Sequence, residues 1–213
     1  MPSTSQWRSS NMIKLSQYAK VKNNYCLCYF GHSDEYLVQL RLLKPIIEAR
    51  FPGLNLYFGC KDDKTHLLEG CSPILKISEI KVKRHNFAHI RELKLSETHP
   101  VENLLVESGI TNFVIRDTVL PQATDLCVII KDGSHPTMPI ERNNLNNLKA
   151  RIESQGYRTE VRKDIKNAGW VVGVESVQLF EAAAQGIRTT LVPTGVGTRL
   201  YKHMFPKADV FVL

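Results

Sequence analysis

The stretch GWVVGVESVQLFEAAAQGIRTTLVP, residues 169–193, decides the fold. Gly169–Val174 is an apolar run that reads as a buried strand. Ser176–Gln185 reads as a helix, ended by Gly186. Three small residues, Ala182–Ala184, let that helix press against its neighbours. Thr189–Val192 reads as the next strand. A strand–helix–strand unit of this kind is the repeating element of a parallel sheet with helices packed on its faces.

The same alternation continues on both sides. Upstream, Leu126–Ile130 reads as a strand, 131–139 as a polar turn region and Ile140–Gln155 as an amphipathic helix, with Leu145, Leu148 and Ile152 on one face and Gly156 at its end. Arg158–Arg162 is a modest strand. Downstream, Thr198–Met204 is helical and Val210–Leu213 is a final strand. Nearer the start, Tyr25–Phe30 is a buried strand ending at Gly31, and Ser33 or Asp34 can cap the helix that follows. Tyr36 to Arg50 carries Leu37, Leu40, Leu43, Ile46 and Ile47 at helical spacing, and Phe51-Pro52-Gly53 stops it. Leu54–Gly59 is the next strand, and Ile74–Ile80 is expected to be a third. Residues 81–112 read as mostly helical or irregular, with a helix from Pro100 to Glu107. Residues 117–124, with Pro121, read as a linker. The fold class is therefore α/β. The expected layout is a basic leader over 1–23 and two small Rossmann-like lobes over 24–120 and 125–213. A single continuous sheet is the alternative.

The 213 residues are 43% hydrophobic and 23% charged, which excludes collagen-like, coiled-coil and wholly disordered chains. The net charge of +7 raises nucleic acid, anionic membranes and phosphate-bearing ligands as partners. Residues 1–33 hold Arg8, Lys14, Lys20 and Lys22 and no acid, so four of the seven excess charges lie there. The leader has no apolar signal core, and a transit peptide or a loosely docked terminus are its two readings. No apolar run reaches the ~18 residues of a spanning helix. The odd set Cys26, Cys28, Cys60, Cys71 and Cys127, largely within apolar runs, points to free thiols in a reducing compartment and to a cytoplasmic protein. No cysteine or histidine spacing suggests a metal site.

Ligands of open α/β sheets sit beyond the carboxyl ends of the strands. That selects loops 31–35, 59–64, 131–139, 173–177 and 193–199. Gly173-Val174-Glu175-Ser176 and Pro193-Thr194-Gly195-Val196-Gly197-Thr198-Arg199 each follow a strand and open a helix. Helix N-termini favour anions, Gly195 and Gly197 allow close backbone approach, and Ser176, Thr194 and Thr198 add hydroxyls. Arg199 can add a charge-assisted contact. These are also turns that any α/β chain must make. Glu181 either faces solvent or accepts hydrogen bonds from a ribose. Lys131 either meets a phosphate or is an ordinary surface lysine, and Arg142 shares that ambiguity. His32 and Asp34 offer a titratable pair, against a plain capping role for Ser33 or Asp34.

No dinucleotide fingerprint, phosphate-binding P-loop or hydrolase elbow occurs. Lys76, Lys81, Lys83, Arg84, Arg91 and Lys94, with His85 and His89, form a local basic cluster. Such a run is usually a solvated face. With Phe87 as its only interleaved aromatic, a nucleic-acid partner is not expected.

The string VVGVESVQLFEAAAQG, residues 171–186, and the following Val192-Pro193-Thr194-Gly195 resemble the nucleotide-sugar site of GT-B glycosyltransferases, especially the ADP-heptose:lipopolysaccharide heptosyltransferase-like family. Gly31-His32-Ser33-Asp34 and Phe51-Pro52 are similar to that family's opening turn and helix stop. The resemblance is specific over about residues 125–206. Where the family has a D-T-G-like turn, this chain has Glu175-Ser176-Val177, without the glycine. The first lobe is pared down.

The resemblance implies a GT-B-like fold and metal-independent transfer of a sugar from a nucleotide-sugar donor to a glycan or other hydroxyl acceptor. Asp34 or His32 would take the acceptor proton. Lys131, Gly173, Glu175, Ser176, Thr194, Gly195, Gly197, Thr198 and Arg199 would hold the diphosphate, and Glu181 would lie on the ribose side. No cofactor is expected beyond the donor. A non-catalytic nucleotide- or phosphate-binding module with the same fold is the alternative, and a basic nucleic-acid-binding protein the second.

Overall fold

The structure is a computed structural model. It describes residues 24–93, 100–111, 113–121, 124–133, 140–193 and 198–211. The leader, Lys94 and the 134–139 turn lie outside the described residues.

The first sheet holds β1 (Asn24–Cys28), β2 (Asn55–Cys60), β3 (Ile74–Lys76) and β4 (His89–Glu92) in the order β3-β2-β1-β4. All its ladders are parallel. Helix α1 (Asp34–Arg50) joins β1 to β2 and buries Tyr36, Leu37, Val38, Leu40, Leu43 and Ile47. Pro45 stands inside α1 and cannot donate to the carbonyl of Arg41. The Cys71 thiol donates to that carbonyl at 3.8 Å.

Two expectations for this half are corrected. Ile74–Ile80 is not one strand: β3 ends at Lys76 and helix α2 (Ile77–Val82) follows. The reason lies at Glu79, whose carboxylate accepts from the backbone N–H of Lys76 at 2.8 Å and fixes a helix start there. Residues 81–112 hold a strand as well as helix. β4 is half-buried and carries His89, Arg91 and Glu92. As the sheet's edge strand it shows no apolar run. Helix α3 (Pro100–Glu107) follows.

The second sheet holds β5 (Leu126–Ile130), β6 (Arg158–Val161), β7 (Trp170–Gly173), β8 (Arg188–Leu191) and β9 (Asp209–Val210), in the order β6-β5-β7-β8-β9. It too is parallel throughout. Helices α4 (Arg142–Glu153), α5 (Val177–Gln185) and α6 (Thr198–Met204) connect its strands. The order of elements matches the expected β-α-β-β-α-β-α-β. Two sheets are present, so the single-sheet alternative is set aside.

At the start of helix α5, Ser176 Oγ accepts from the Leu179 N–H at 3.3 Å. It ends at Gly186 with φ +81°, the left-handed position that favours glycine. Gly173 meets β5 closely. A Cβ there would lie 2.6 Å from the Ile130 carbonyl oxygen and 2.7 Å from Ile130 Cβ. Gly173→Ala is expected to cost about 1–3 kcal/mol, read as a fall of several degrees in Tm. An unchanged Tm would show that β5 and β7 can separate freely.

The segment 113–121 is strapped to the second half. The N–H groups of Ile115 and Arg116 donate to Met204 O, and Leu120 N–H donates to Gly186 O. Residues of both sheets share one apolar core, which runs from Leu27 and Phe58 to Val171 and Phe180. The five cysteines are free and buried, as expected. Among the described residues no helix is long and apolar enough to cross a membrane.

Candidate functional site

Both sheets change direction of winding next to their first strand, between β1 and β4 and between β5 and β7. Such switch points open a crevice at the carboxyl ends of the strands. The loops there are 29–33, which enters α1, and 174–176, which enters α5. Helices α1 and α5 pack against each other, so these two loops meet.

The meeting place is polar and closed to water. Glu35 and Gln39 of α1 are buried, as are Glu175 and Ser176 beyond β7. Gln39 Nε2 donates to Glu175 Oε1 at 3.1 Å. Glu175 is only 4% exposed. Burial, and then the neighbouring Glu35, push its carboxyl up to about 8. Glu175 is thus largely protonated at neutral pH, a neutral carboxyl and not a ready base. The Tyr36 hydroxyl is raised as well, by burial first and then by Glu175 and Glu35. Tyr29 completes the wall. Its hydroxyl accepts from the Ser33 N–H at 3.1 Å, and its ring stands edge-on to Tyr36 at 5.3 Å. At the rim, Arg41 of α1 pairs with Glu181 of α5.

Asp34 is the first residue of α1, and its side chain is partly exposed. Lys64, in the 3-10 helix Asp62–Leu68 beyond β2, pairs with Asp34 Oδ2 at 2.9 Å. A carboxylate held this way at a strand end can accept a proton from a hydroxyl. His32 is exposed beside it. Lys131, just past β5, is exposed and lies 3.7 Å from Asp132 Oδ2.

The residues expected from sequence are thus only partly gathered. Glu175 and Ser176 face inward, Ser176 being 1% exposed with its hydroxyl committed to the cap. Glu181 is partly exposed and pairs with Arg41. Thr194, Gly195 and Gly197 lie outside the described residues, as do the side chains of Thr198, Arg199 and Arg142. Sequence reasoning missed Glu35, Gln39, Arg41 and Lys64. Glu35 and Gln39 are four apart, on a helix face that is otherwise apolar, and that spacing was the signal available.

Neither a protein-family model nor a curated protein matches the sequence. Solved structures do match. The iron-containing dodecameric glycosyltransferase TibC of enterotoxigenic E. coli is 12% identical, with a TM-score of 0.57 over 80% of this chain. A glycosyl transferase family 9 protein of Veillonella parvula is 9% identical, with a TM-score of 0.55 over 90% of this chain and 85% of that one. The fold is shared with glycosyltransferases. E. coli heptosyltransferase WaaC with ADP has a TM-score of 0.51 at 8% identity, over 88% of this chain and 92% of that one. The chain spans 58% of the length of TibC. At these identities the likeness is one of fold alone. Among the described residues no three His, Cys, Asp or Glu side chains are grouped to hold a metal ion.

Proposed function

We propose that this protein is glycosyltransferase-like: it binds a nucleotide sugar beyond β5 and β7 and transfers the sugar to a hydroxyl acceptor presented from the β1 side. The supporting observation is the convergence of the loops after β1 and β7, tied by Gln39–Glu175 and Arg41–Glu181, in a fold shared with glycosyltransferases. The proposal divides the chain into lobes over 24–120 and 125–213, with a cleft between them.

In the proposed reaction, the acceptor oxygen bonds to the anomeric carbon as the bond from that carbon to the diphosphate oxygen breaks. Asp34 takes the acceptor proton, with Lys64 holding its carboxylate in place and His32 as the alternative base. The departing diphosphate keeps the electron pair. Lys131, Arg199, Thr194, Thr198 and the backbone of Gly173, Gly195 and Gly197 are proposed to meet its charge, with the N-termini of α5 and α6. This set would serve without a metal ion. Glu181, through Arg41, would border the ribose. The buried free thiols fit a reducing compartment, and the cytoplasm is proposed on that ground.

A nucleoside diphosphate at a hundredfold excess over its Kd is expected to add about 2.7 kcal/mol of stability. Asp34→Asn is expected to cut transfer roughly 10²–10⁴-fold while leaving that ligand-induced rise in Tm intact. Loss of this partly exposed ion pair is expected to cost about 1 kcal/mol, so folding and catalysis separate in this variant. Full transfer activity in Asp34→Asn would remove the residue from the reaction.

One observation favours a second reading, a nucleotide- or phosphate-binding module without catalysis. Glu175 and Ser176 are turned into the protein instead of towards a ligand. Under that reading the Tm rise persists and no transfer is detected in the wild type.

A further inference from the structure

The basic run that the transfer reaction leaves unused has a place and a shape. Ile80 is buried and anchors α2, its Cδ1 lying against Gly59 so closely that a Cβ on Gly59 would collide with it. The rest of the turn is therefore outward. Lys76, Lys81, Lys83, Arg84 and His85 are exposed, and Val82 among them is 75% exposed. Glu79 is the only acid in residues 76–86. It is occupied with the Lys76 N–H and with Lys83, 3.8 Å away.

This surface follows the crossover from β3 to β4: it begins at the carboxyl end of the first sheet, where Lys76 is in register with Cys60, and ends at the amino end. Asn86 is the marker: its carbonyl accepts from Asn24 Nδ2 at 2.9 Å, where β1 begins. Asn24 O in turn accepts from the Ala88 N–H just before β4. The 23 residues preceding Asn24 carry Arg8, Lys14, Lys20 and Lys22, no acid, and the apolar Trp7, Met12, Ile13 and Leu15. A second basic, acid-poor stretch thus precedes β1 in the sequence.

We propose that the Lys76–Asn86 surface docks on an anionic phospholipid bilayer, with Val82 entering the interface and Lys81, Lys83 and Arg84 facing the headgroups. Cations gather on an anionic leaflet, and an apolar side chain set among them gains from burial at the headgroup boundary. Single-stranded nucleic acid would use the cations but not Val82, and would need an aromatic face for its bases. Phe87 does not offer one freely: it is partly buried and packed edge-on to Tyr57 at 5.1 Å.

The test is sedimentation of the full chain with phosphatidylcholine vesicles, with and without phosphatidylserine. Binding is expected only to the anionic vesicles and should weaken with salt. Lys81→Glu with Lys83→Glu should lower vesicle affinity by about tenfold or more. Val82→Ser, which changes no charge, should lower it severalfold. All these positions are exposed, and an unchanged Tm in each variant shows that folding is intact. Absence of binding to the anionic vesicles overturns the proposal. So does wild-type affinity in the double variant, an unchanged affinity in Val82→Ser, or tighter binding to single-stranded RNA than to the vesicles.

Discussion

Raising the pH from about 6.5 to about 9 should destabilise this protein, and Glu175→Gln should abolish most of that loss. The carboxyl of Glu175 is pushed up to about 8, by burial first and then by Glu35. The unfolded chain would release that proton at the ordinary value of 4.5. Between these two values the folded state holds a proton that the unfolded state has lost. Stability is therefore fully present below the unfolded value, declines as pH rises, and is lost once pH passes about 8. The span from 4.5 to about 8 corresponds to roughly 3–5 kcal/mol, of which about 2 kcal/mol falls above pH 6.5. Gln39 donates to Glu175 Oε1, and Glu35 and Tyr36 face the same carboxyl from α1. A glutamine at 175 keeps an acceptor for Gln39 and cannot ionise. His89 acts with the opposite sign, since burial, and then Arg91, hold its imidazole below the usual value, so it adds stability as pH rises and is not the source of the loss. Urea melts of both proteins across the window read the effect. A flat wild-type profile, or equal slopes in the two proteins, would remove Glu175 as the cause.

Phe180→Ala should lower stability by about 3–5 kcal/mol, a fall in Tm of about 10 °C for a chain of this size. Phe180 lies on α5 and is 0% exposed. Its ring stands edge-on to Tyr201 at 5.4 Å and is 6.1 Å from Phe205. Tyr201 is itself fixed, its hydroxyl donating to Thr189 Oγ1 at 2.7 Å. A tethered neighbour cannot collapse into the space left by the lost ring, so the cavity persists. Calorimetry of the variant checks this, and a Tm within two degrees of wild type would mean that α6 closes over the gap.

The second half was legible because its strands are covered on both faces. β5 and β7 are then near-continuous apolar runs, and Gly186 marks a helix end through a backbone angle that few other residues adopt. In the first half β1, α1, β2 and the helix Pro100–Glu107 were legible, and the stretch between β2 and that helix was not. In the 74–82 stretch, a strand and a helix share one apolar–polar alternation, and the boundary between them is set by a carboxylate reaching back to a backbone N–H. β4 is four residues long and half-buried, so charged side chains are tolerated along it and the apolar signal vanishes. At the candidate site, sequence located the strand ends and Asp34. It did not show Lys64, which comes from a 3-10 helix with no periodicity to read. Nor did it show that Glu175 faces Gln39. That contact spans 136 positions and depends on how α1 meets α5, which no local pattern encodes.

The order β3-β2-β1-β4 also constrains how the chain assembles. β1 pairs with β4 in the register Tyr25↔His89, so its second edge stays unmatched until 64 further residues have been laid down. Every ladder in both sheets is parallel, and none closes through a tight hairpin. The chain must form long loops before any sheet contact rewards them, which makes for slow folding. Until β4 arrives, the apolar strand Asn24–Cys28 has one open edge, the species most exposed to pairing with another chain. The half-buried, charge-bearing β4 then closes that edge with a strand poorly suited to extending the sheet further.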